Sequence, residues 1–340
     1  MTEAFLRLES EDRRNALEVA ASRCGRPVHL LEKDVWVVWA LNVMFSASFG
    51  EHLVFKGGTS LSKVYGAIRR FSEDVDLTYD IRAIAPDLTD GQTDPLPNGS
   101  QQKRWTKVSR ERLGQWVSST VLPTLSAAID VERVPATVSV RPDSPDAIQI
   151  AYQSVSPGSG YVSPVVLLEF GARSTGEPSE ERWVQCDVAQ YLPTLEFPVA
   201  RPRVMRVERT FWEKATAIHV MCSGAKIRTG RFSRHWYDLV QLDKTGHAAS
   251  ALEDRTLANQ VAAHKSWFFE EKVDGKPIDY ATAVTGGLRL VPKDAVLAAL
   301  RDDYQKMVAD GLLLDAAEPF DTLLERCRQI EERANRAGQT

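Results

Sequence analysis

The feature of this sequence that most limits its fold is an ordered series of short segments between residues 52 and 77. An apolar run, His52-Leu-Val-Phe55, predicts a buried strand, and Gly57-Gly58 break it. Helical spacing follows from Thr59, which is placed as an N-cap, to Gly66. Alternation over Val75–Tyr79 then predicts a second strand. The order is strand, glycine turn, helix and strand.

Two carboxylates, Asp74 and Asp76, stand at the start of the second predicted strand. The two-residue period of a strand places both on one face. Mg²⁺ prefers such oxygen ligands, and two Mg²⁺ ions about 4 Å apart support nucleotidyl transfer in polymerase-like sites. Asp-x-Asp alone also occurs in many surface turns, but here the turn at Gly57-Gly58 lets backbone N–H groups approach a phosphate. The combination predicts a metal-dependent nucleotidyltransferase.

A third carboxylate is expected on a neighbouring strand. Glu169 lies within the apolar run Val165–Phe170, and a buried charge needs a partner or a metal ion. The alternative is a glutamate at a strand edge that faces solvent. Asp187 is the reserve candidate for this metal ligand.

The rest of the chain predicts a mixed α/β part over residues 1–200 and a helical lobe over residues 201–340. In the first part we expect helices near 10–22, 31–47 and 103–130, strands near 137–140, 147–152 and 165–170, and a loop at 83–102. In the second part we expect helices near 207–221, 236–242, 248–262, 293–310 and 318–336.

Composition excludes several protein classes. The 340 residues carry a net charge of −4, which argues against a general nucleic-acid coat protein but permits a local basic groove. The four cysteines form no CxxC pair and are read as buried thiols of a reducing cytoplasm. The apolar stretch Val35–Phe45 is too short to span a bilayer and predicts a buried helix. We therefore expect a cytoplasmic protein without a membrane partner.

Several blocks of the sequence together match one protein family. They are Lys56-Gly-Gly-Thr-Ser-Leu-Ser-Lys63, Arg70-Phe-Ser-Glu-Asp-Val-Asp-Leu77, Glu208–His219, Arg234–Leu242, Gly286–Pro292 and Asp303–Met307. In these blocks the chain resembles the AbiEii/AbiGii-type nucleotidyltransferase toxins, which include the MenT group. The resemblance extends from about residue 30 to the end of the chain.

The resemblance implies an α+β fold with a DNA polymerase β-like nucleotidyltransferase core, in which helices flank a mixed sheet, and a helical C-terminal lobe. It implies a toxin of a toxin–antitoxin system of the abortive-infection, phage-defence type, with a cognate antitoxin protein as partner. Relatives transfer nucleotides from NTPs, some of them to the 3′ end of tRNA. We therefore expect Mg²⁺ at a two-metal site, an NTP substrate and a tRNA acceptor.

The family's functional positions are carried over one at a time. Gly58 and Thr59 match the family's glycine–hydroxyl motif, and Asp74 and Asp76 match its metal-binding pair. Lys214 matches the catalytic lysine, and Asp238 matches the final essential acid. The hydroxyl position is often Ser in the family, and Thr59 keeps the oxygen. The family pattern thus gives Asp74, Asp76, Lys214 and Asp238 as catalytic residues, with Asp74, Asp76 and Glu169 as metal ligands.

Two residues of the helical lobe have competing interpretations. Lys214 is either a phosphate ligand for the incoming NTP or a lysine that lies along an apolar helix face. Asp238 is either an ordinary helix-surface acid or a group that orients Lys214 or a neighbouring arginine through a buried ion pair. His219 and His235 are left out of the catalytic set, because a metal ion can itself activate the attacking hydroxyl.

Cations cluster between residues 226 and 234 and favour phosphate contacts with RNA or NTP, although a solvated loop is the alternative. The predicted substrate-binding residues are Lys56, Gly57, Gly58, Thr59, Lys63, Arg70, Lys226, Arg228, Arg231 and Arg234. Ser72 is a candidate regulatory position, because a phosphate there would add negative charge beside Asp74. Two other functions remain open: nucleotidylation of a small molecule or protein hydroxyl, and a non-catalytic nucleotide-binding module.

Overall fold

The structure, a computed structural model, describes residues 3–93, 95–97, 101–133, 135–157, 162–224, 231–309 and 312–339. The chain divides into two compact units. The first unit comprises Met1–Val64, Ser72–Pro95 and Trp105–Val204, and the second comprises Tyr65–Phe71, Leu96–Arg104 and Met205–Thr340. Two short segments from the predicted first part of the chain thus group with the second unit.

The strands of the described residues are short, and most belong to the first unit. In chain order they are β1 Glu3–Ala4, β2 Leu53–Lys56, β3 Val75–Tyr79, β4 Ala136–Arg141, β5 Ser144–Tyr152, β6 Val165–Gly171, β7 Ser179–Glu181, β8 Val184–Gln185, β9 Leu195–Glu196, β10 Val199–Ala200, β11 Arg203–Met205, β12 Lys272–Val273 and β13 Lys276–Pro277.

Seven of these strands form one sheet in the order β4-β5-β6-β3-β2-β11-β7. Strand β3 is parallel to β6 and antiparallel to β2, and β11 is parallel to β2. Strands β4, β5 and β6 pair antiparallel. The sheet is therefore mixed, and the predicted α+β class is confirmed. Strand β3 lies inside the sheet with its odd-numbered residues buried, as its apolar alternation requires.

The helices follow most of the predicted periodic segments. In chain order they are α1 Ser10–Cys24, α2 Val28–Ser46, α3 Gly57–Lys63, α4 Ile81–Ile84, α5 Pro86–Thr89, α6 Gln102–Trp116, α7 Leu122–Glu132, α8 Val207–Cys222, α9 Ser233–Lys244, α10 His247–Glu253, α11 Arg255–Phe268, α12 Tyr280–Val284, α13 Asp294–Ala309 and α14 Phe320–Ala337. A π-helical turn at Val117–Val121 joins α6 to α7, so the expected helix near 103–130 is one helical stretch with an irregular middle. The expected loop at 83–102 contains short helical turns.

Helix α2 is buried almost throughout its length, as predicted for Val35–Phe45. Trp36 stacks on Tyr152 of β5 with ring centroids 5.1 Å apart. The same helix buries three consecutive charged residues, Glu32, Lys33 and Asp34. Because a buried charge must be compensated, we expect each of these residues to have a polar or charged partner.

The second unit contains α8 to α14, with α8 and α9 deeply buried. The indole N–H of Trp212 donates to the carbonyl of Ala251, and that of Trp236 donates to Leu290, each at 2.8 Å. Burying two tryptophans with satisfied donors stabilises the unit. Among the described helices, none is both long enough and apolar enough to cross a bilayer.

Candidate active site

The glycine turn and the aspartate strand are built against each other in the first unit. Gly57 has a φ of +81°, and a Cβ at this position would lie 1.9 Å from Oδ2 of Asp76. Lys56 and Asp76 are direct cross-strand partners in the β2–β3 pair. The Asp76 carboxylate therefore lies directly over the Cα atom of Gly57, and only glycine leaves room for it.

Thr59 connects the helix after this turn to the segment that carries Asp74. Its side chain is 1% exposed, and its hydroxyl donates to the main-chain carbonyl of Asp74 at 2.5 Å. The Thr59 hydroxyl also lies 3.0 Å from the hydroxyl of Ser72. The predicted N-cap role is wrong, because α3 begins at Gly57 with Lys56 as its N-cap. The threonine hydroxyl instead fixes the main chain beside the first aspartate.

Glu169 lies on β6 directly opposite Asp76 on β3. The prediction that it is a buried charge is wrong, since the residue is exposed to solvent. Its pKa is nevertheless raised, first by partial desolvation and then by the negative charges of Asp76 and Asp74. The three carboxylates thus make the local electrostatic potential negative, and a bound divalent cation would offset this charge.

The residues fit a divalent cation only in part. Within the described ranges, no group of three or more His, Cys, Asp or Glu side chains is placed to hold a metal ion. The three-ligand set with Glu169 is therefore not assembled. Asp74 and Asp76 still provide the hard oxygen donors that Mg²⁺ requires, and Mg²⁺ usually takes one or two carboxylates together with substrate phosphates.

The segment before Asp74 is anchored by a residue that the sequence reasoning missed. Lys33 of α2 is 2% exposed, and its Nζ lies 2.5 Å from Oε2 of Glu73 and 3.0 Å from the carbonyl of Ser163. Glu73 immediately precedes Asp74. The signal in the sequence was the charged triplet at residues 32–34 within an otherwise apolar helix.

Lys63 and Asp187, both predicted site residues, pair with each other. The Lys63 ammonium group lies 2.6 Å from Asp34 and 2.7 Å from Asp187, and its side chain is 8% exposed. Asp187 also pairs with Arg26. Although burial opposes the charged form, the two carboxylates raise the pKa of Lys63. These ion pairs compensate the buried charge of Lys63, while the substrate-binding role of Lys63 and the reserve metal role of Asp187 stay predictions.

In the second unit, Asp238 is the centre of a buried ion network. Its side chain is fully buried and accepts two hydrogen bonds from Arg70, at 2.7 and 2.8 Å. Nζ of Lys214 lies 2.9 Å from its second oxygen. Burial alone would raise the pKa of Asp238, but Arg70 and Lys214 hold it well below its usual range. The structure contains the predicted ion pair, and Arg70 contacts this carboxylate with its side chain 4% exposed.

Only part of the predicted basic cluster can be placed. Lys226 and Arg228 lie outside the described residues. The main-chain N–H of Arg231 donates to Asp303 at 2.7 Å, and Nε of Arg234 donates to the carbonyl of Arg231 at 3.2 Å. Both arginines are half-buried. These contacts fix the start of α9, and the substrate-binding role of the cluster stays a prediction.

The two histidines that were excluded from catalysis have depressed pKa values. His219 is buried, and its Nδ1 accepts a hydrogen bond from the main-chain N–H of Arg289 at 3.1 Å. Burial, followed by the charge of Arg289, lowers the pKa of His219 to about 4. Burial and Lys214 lower the pKa of His235 to about 3. Both rings are therefore neutral at physiological pH.

Comparison with known proteins gives the family. Among curated protein sequences, none matches this chain. A similar solved structure is MenT4, the nucleotidyltransferase toxin Rv2826c from Mycobacterium tuberculosis H37Rv, at 18% identity and a TM-score of 0.43, with 94% of this chain and 97% of that chain covered. Residues 39–326 match the family described as nucleotidyl transferase AbiEii toxin, type IV TA system. This match spans most of the chain, which therefore belongs to the AbiEii nucleotidyltransferase toxin family of type IV toxin–antitoxin systems.

Proposed function

We propose that the protein transfers a nucleoside monophosphate from an NTP to the 3′ end of an RNA, with tRNA as the acceptor and Mg²⁺ as the cofactor. One observation carries the proposal: the Asp76 carboxylate lies over Gly57 while Thr59 holds the main chain of Asp74. In our proposal the glycine turn binds a phosphate and the two carboxylates bind the metal, and these contacts hold the turn and the carboxylates together. A binding module without catalysis would not need this arrangement.

The glycine turn supplies the phosphate side of the reaction. The main-chain N–H groups of Gly57 and Gly58 lie in the first turn of α3, and a helix N-terminus favours negative charge. Lys56, half-buried at the N-cap position, adds a cation next to the turn. Asp74 and Asp76 would hold the divalent ion, which when bound offsets the charge of the triphosphate. These residues bind and orient the NTP.

The family pattern predicts that Lys214 is a phosphate ligand, and we keep this role in our proposal. Lys214 is held by Asp238, which in turn is fixed by two hydrogen bonds from Arg70. A lysine whose rotamer is set by a buried carboxylate loses little entropy when it contacts a phosphate. We assign Lys214 to the NTP phosphates and Asp238 and Arg70 to its positioning.

The proposed acceptor and partner follow from a basic cluster in the sequence and from family membership. The sequence places Lys226, Arg228, Arg231 and Arg234 within nine residues, and such a cluster suits an RNA backbone. Membership of a toxin–antitoxin family implies a cognate antitoxin. We propose that this antitoxin is a separate protein and that the toxin acts in the cytoplasm during phage defence.

The test is transfer of labelled nucleotide by the purified protein. It is incubated with Mg²⁺, each labelled NTP and total tRNA, beside Asp76→Asn and the matched surface variant Asp302→Asn. We expect labelled tRNA from the parent and from Asp302→Asn, and none from Asp76→Asn or in EDTA. Label on protein or on a small molecule would show that the acceptor is not RNA. The absence of label with every NTP would refute the enzymatic proposal.

Ser72 is our proposed regulatory position. Its half-buried hydroxyl lies 3.0 Å from that of Thr59, two residues before Asp74. A phosphate on Ser72 would add charge beside the aspartates and disrupt the Thr59 contact. Ser72→Asp should therefore abolish transfer while Ser72→Ala retains most of it. Full activity in Ser72→Asp would exclude this form of control.

A further inference from the structure

A surface cavity of the first unit contains a cluster of arginines that the proposed reaction does not use. The cavity has a volume of about 600 Å³ and lies between the segment that leads into α1 and the segment that joins α7 to β4. Arg7, Arg13 and Arg133 all line it. The volume falls within the range of small-molecule sites. We call it the Arg13 cavity.

Arg13 is an incompletely compensated buried cation. Its side chain is 3% exposed, yet among the described residues no carboxylate lies within ion-pair distance of it. Nη2 donates to the hydroxyl of Ser10 at 3.2 Å, and Nε is buried without a hydrogen-bond partner. A guanidinium group has five N–H donors, so most of its capacity is unused. Buried groups of this kind normally have their charge satisfied.

Among the described residues, two carboxylates stabilise the charge of Arg13 at a distance, Glu32 of α2 and then Glu9, and neither forms an ion pair with it. The Glu32 oxygens accept hydrogen bonds from other groups. They are the Ser154 hydroxyl, at 2.6 Å, and the main-chain N–H of Val155, at 3.1 and 3.2 Å. The pKa of Arg13 is lowered, chiefly by desolvation. The protein therefore bears a cost for keeping this cation at the cavity wall.

The other two arginines of the cavity are also available to a ligand. Arg7 and Arg133 are exposed, and in the described part of the chain neither forms a side-chain hydrogen bond or an ion pair. Glu9 and Glu132 also line the cavity, so its cations outnumber its anions by one. Leucine, valine and proline side chains complete the wall, at Leu6, Leu8, Val131 and Pro135. The lining combines apolar surface with unpaired guanidinium groups.

We propose that the Arg13 cavity binds an oxyanion of small-molecule size, a phosphate ester or a carboxylate, through Arg13, Arg7 and Arg133. The planar guanidinium fork matches both oxyanions, with two parallel hydrogen bonds to each. Phosphate has the greater charge and is the stronger ligand for a set of three arginines. The cavity shares no lining residue with the Asp74 and Asp76 site, so it is a second site on the first unit.

The experiment is calorimetric titration of the purified full chain in EDTA, which removes metal-dependent binding at the aspartates. Inorganic phosphate, pyrophosphate and AMP form one arm, and acetate and citrate form the other. The variants are Arg133→Ala, at the exposed rim, and Arg13→Met, which keeps the volume without the charge. Arg328→Ala, an exposed arginine of α14, is the matched control.

We expect pyrophosphate to bind the parent and Arg328→Ala equally, and to lose about tenfold or more in affinity in Arg133→Ala and Arg13→Met. Binding of acetate or citrate alone would support the site and identify its ligand as a carboxylate. Arg13→Met should also keep or raise the unfolding midpoint, because a cation without a carboxylate partner has been removed. No binding of any probe, or binding by both cavity variants with the affinity of the parent, would overturn the proposal.

Discussion

Gly57→Ala separates the role of the glycine turn in catalysis from its role in folding. A Cβ at Gly57 would lie 1.9 Å from Oδ2 of Asp76 and 2.7 Å from Cγ. An ordinary contact starts near 3.4 Å, so the carboxylate must move by about 1.5 Å. A displacement of about 1 Å at a reacting centre costs on the order of 100-fold in rate. We expect at least that loss in single-turnover nucleotidyl transfer.

The chain offers a matched control in Gly25, which ends α1 with a φ of +71° and would place its Cβ in open space. An alanine in this left-handed region costs about 1–2 kcal/mol at either position. Gly57→Ala adds the overpacking of Asp76, roughly 1–3 kcal/mol more. Thermal unfolding should therefore shift for both variants, while only Gly57→Ala loses transfer. If Gly57→Ala keeps the activity of Gly25→Ala, the carboxylate above Gly57 is not part of the reacting centre.

Three further predictions concern buried polar contacts. Asp238→Asn should lower the free energy of unfolding by about 3–5 kcal/mol in urea titration, because it leaves the cation of Arg70 buried without its carboxylate; an unchanged midpoint would exclude a structural role for this pair. Thr59→Val should reduce transfer at least tenfold and cost about 1 kcal/mol of stability, because the hydrogen bond to the Asp74 carbonyl is lost. Thr59→Ser should restore both the transfer rate and the stability, and equal transfer rates in Thr59→Val and Thr59→Ser would contradict this. The pKa of His219 is lowered to about 4 from 6.5, so the unfolded chain binds the proton first and stability falls as pH decreases through this window. Each pH unit there should cost up to about 1.4 kcal/mol for this group, so His219→Gln should reduce the slope measured by chemical denaturation between these pH values and leave the contribution of His235, whose pKa is lowered over the same range; an unchanged slope in that variant would exclude His219 as one of its sources.

Local patterns predicted the elements that carry the carboxylate site. The alternation of Val75–Tyr79 gave β3 with its observed bounds, and the apolar run around Val35–Phe45 gave the buried helix α2. Asp74 and Asp76 were identified because a period-two strand fixes which side chains share a face. These features depend on neighbours within one element, so a single sequence contains the information needed.

The sequence alone could not identify the partners of the charged residues. Arg70 is held by Asp238, 168 positions away, and Lys63 is held by Asp34 and Asp187, 29 and 124 positions away. The sequence predicted a phosphate contact for Lys63 and did not show that two distant carboxylates compensate its charge. Folding brings these distant charges together because each would otherwise be buried without compensation.

The sequence by itself determined the order of elements, the glycine turn and the aspartate pair, because spacing and backbone freedom are local properties. The tertiary structure decided that Glu169 is exposed, since exposure depends on which face of the sheet is covered. It also decided that Thr59 holds the main chain of Asp74 and that Lys33 anchors the segment before it. Such contacts join residues whose separation along the chain carries no signal, and only packing brings them within hydrogen-bond distance.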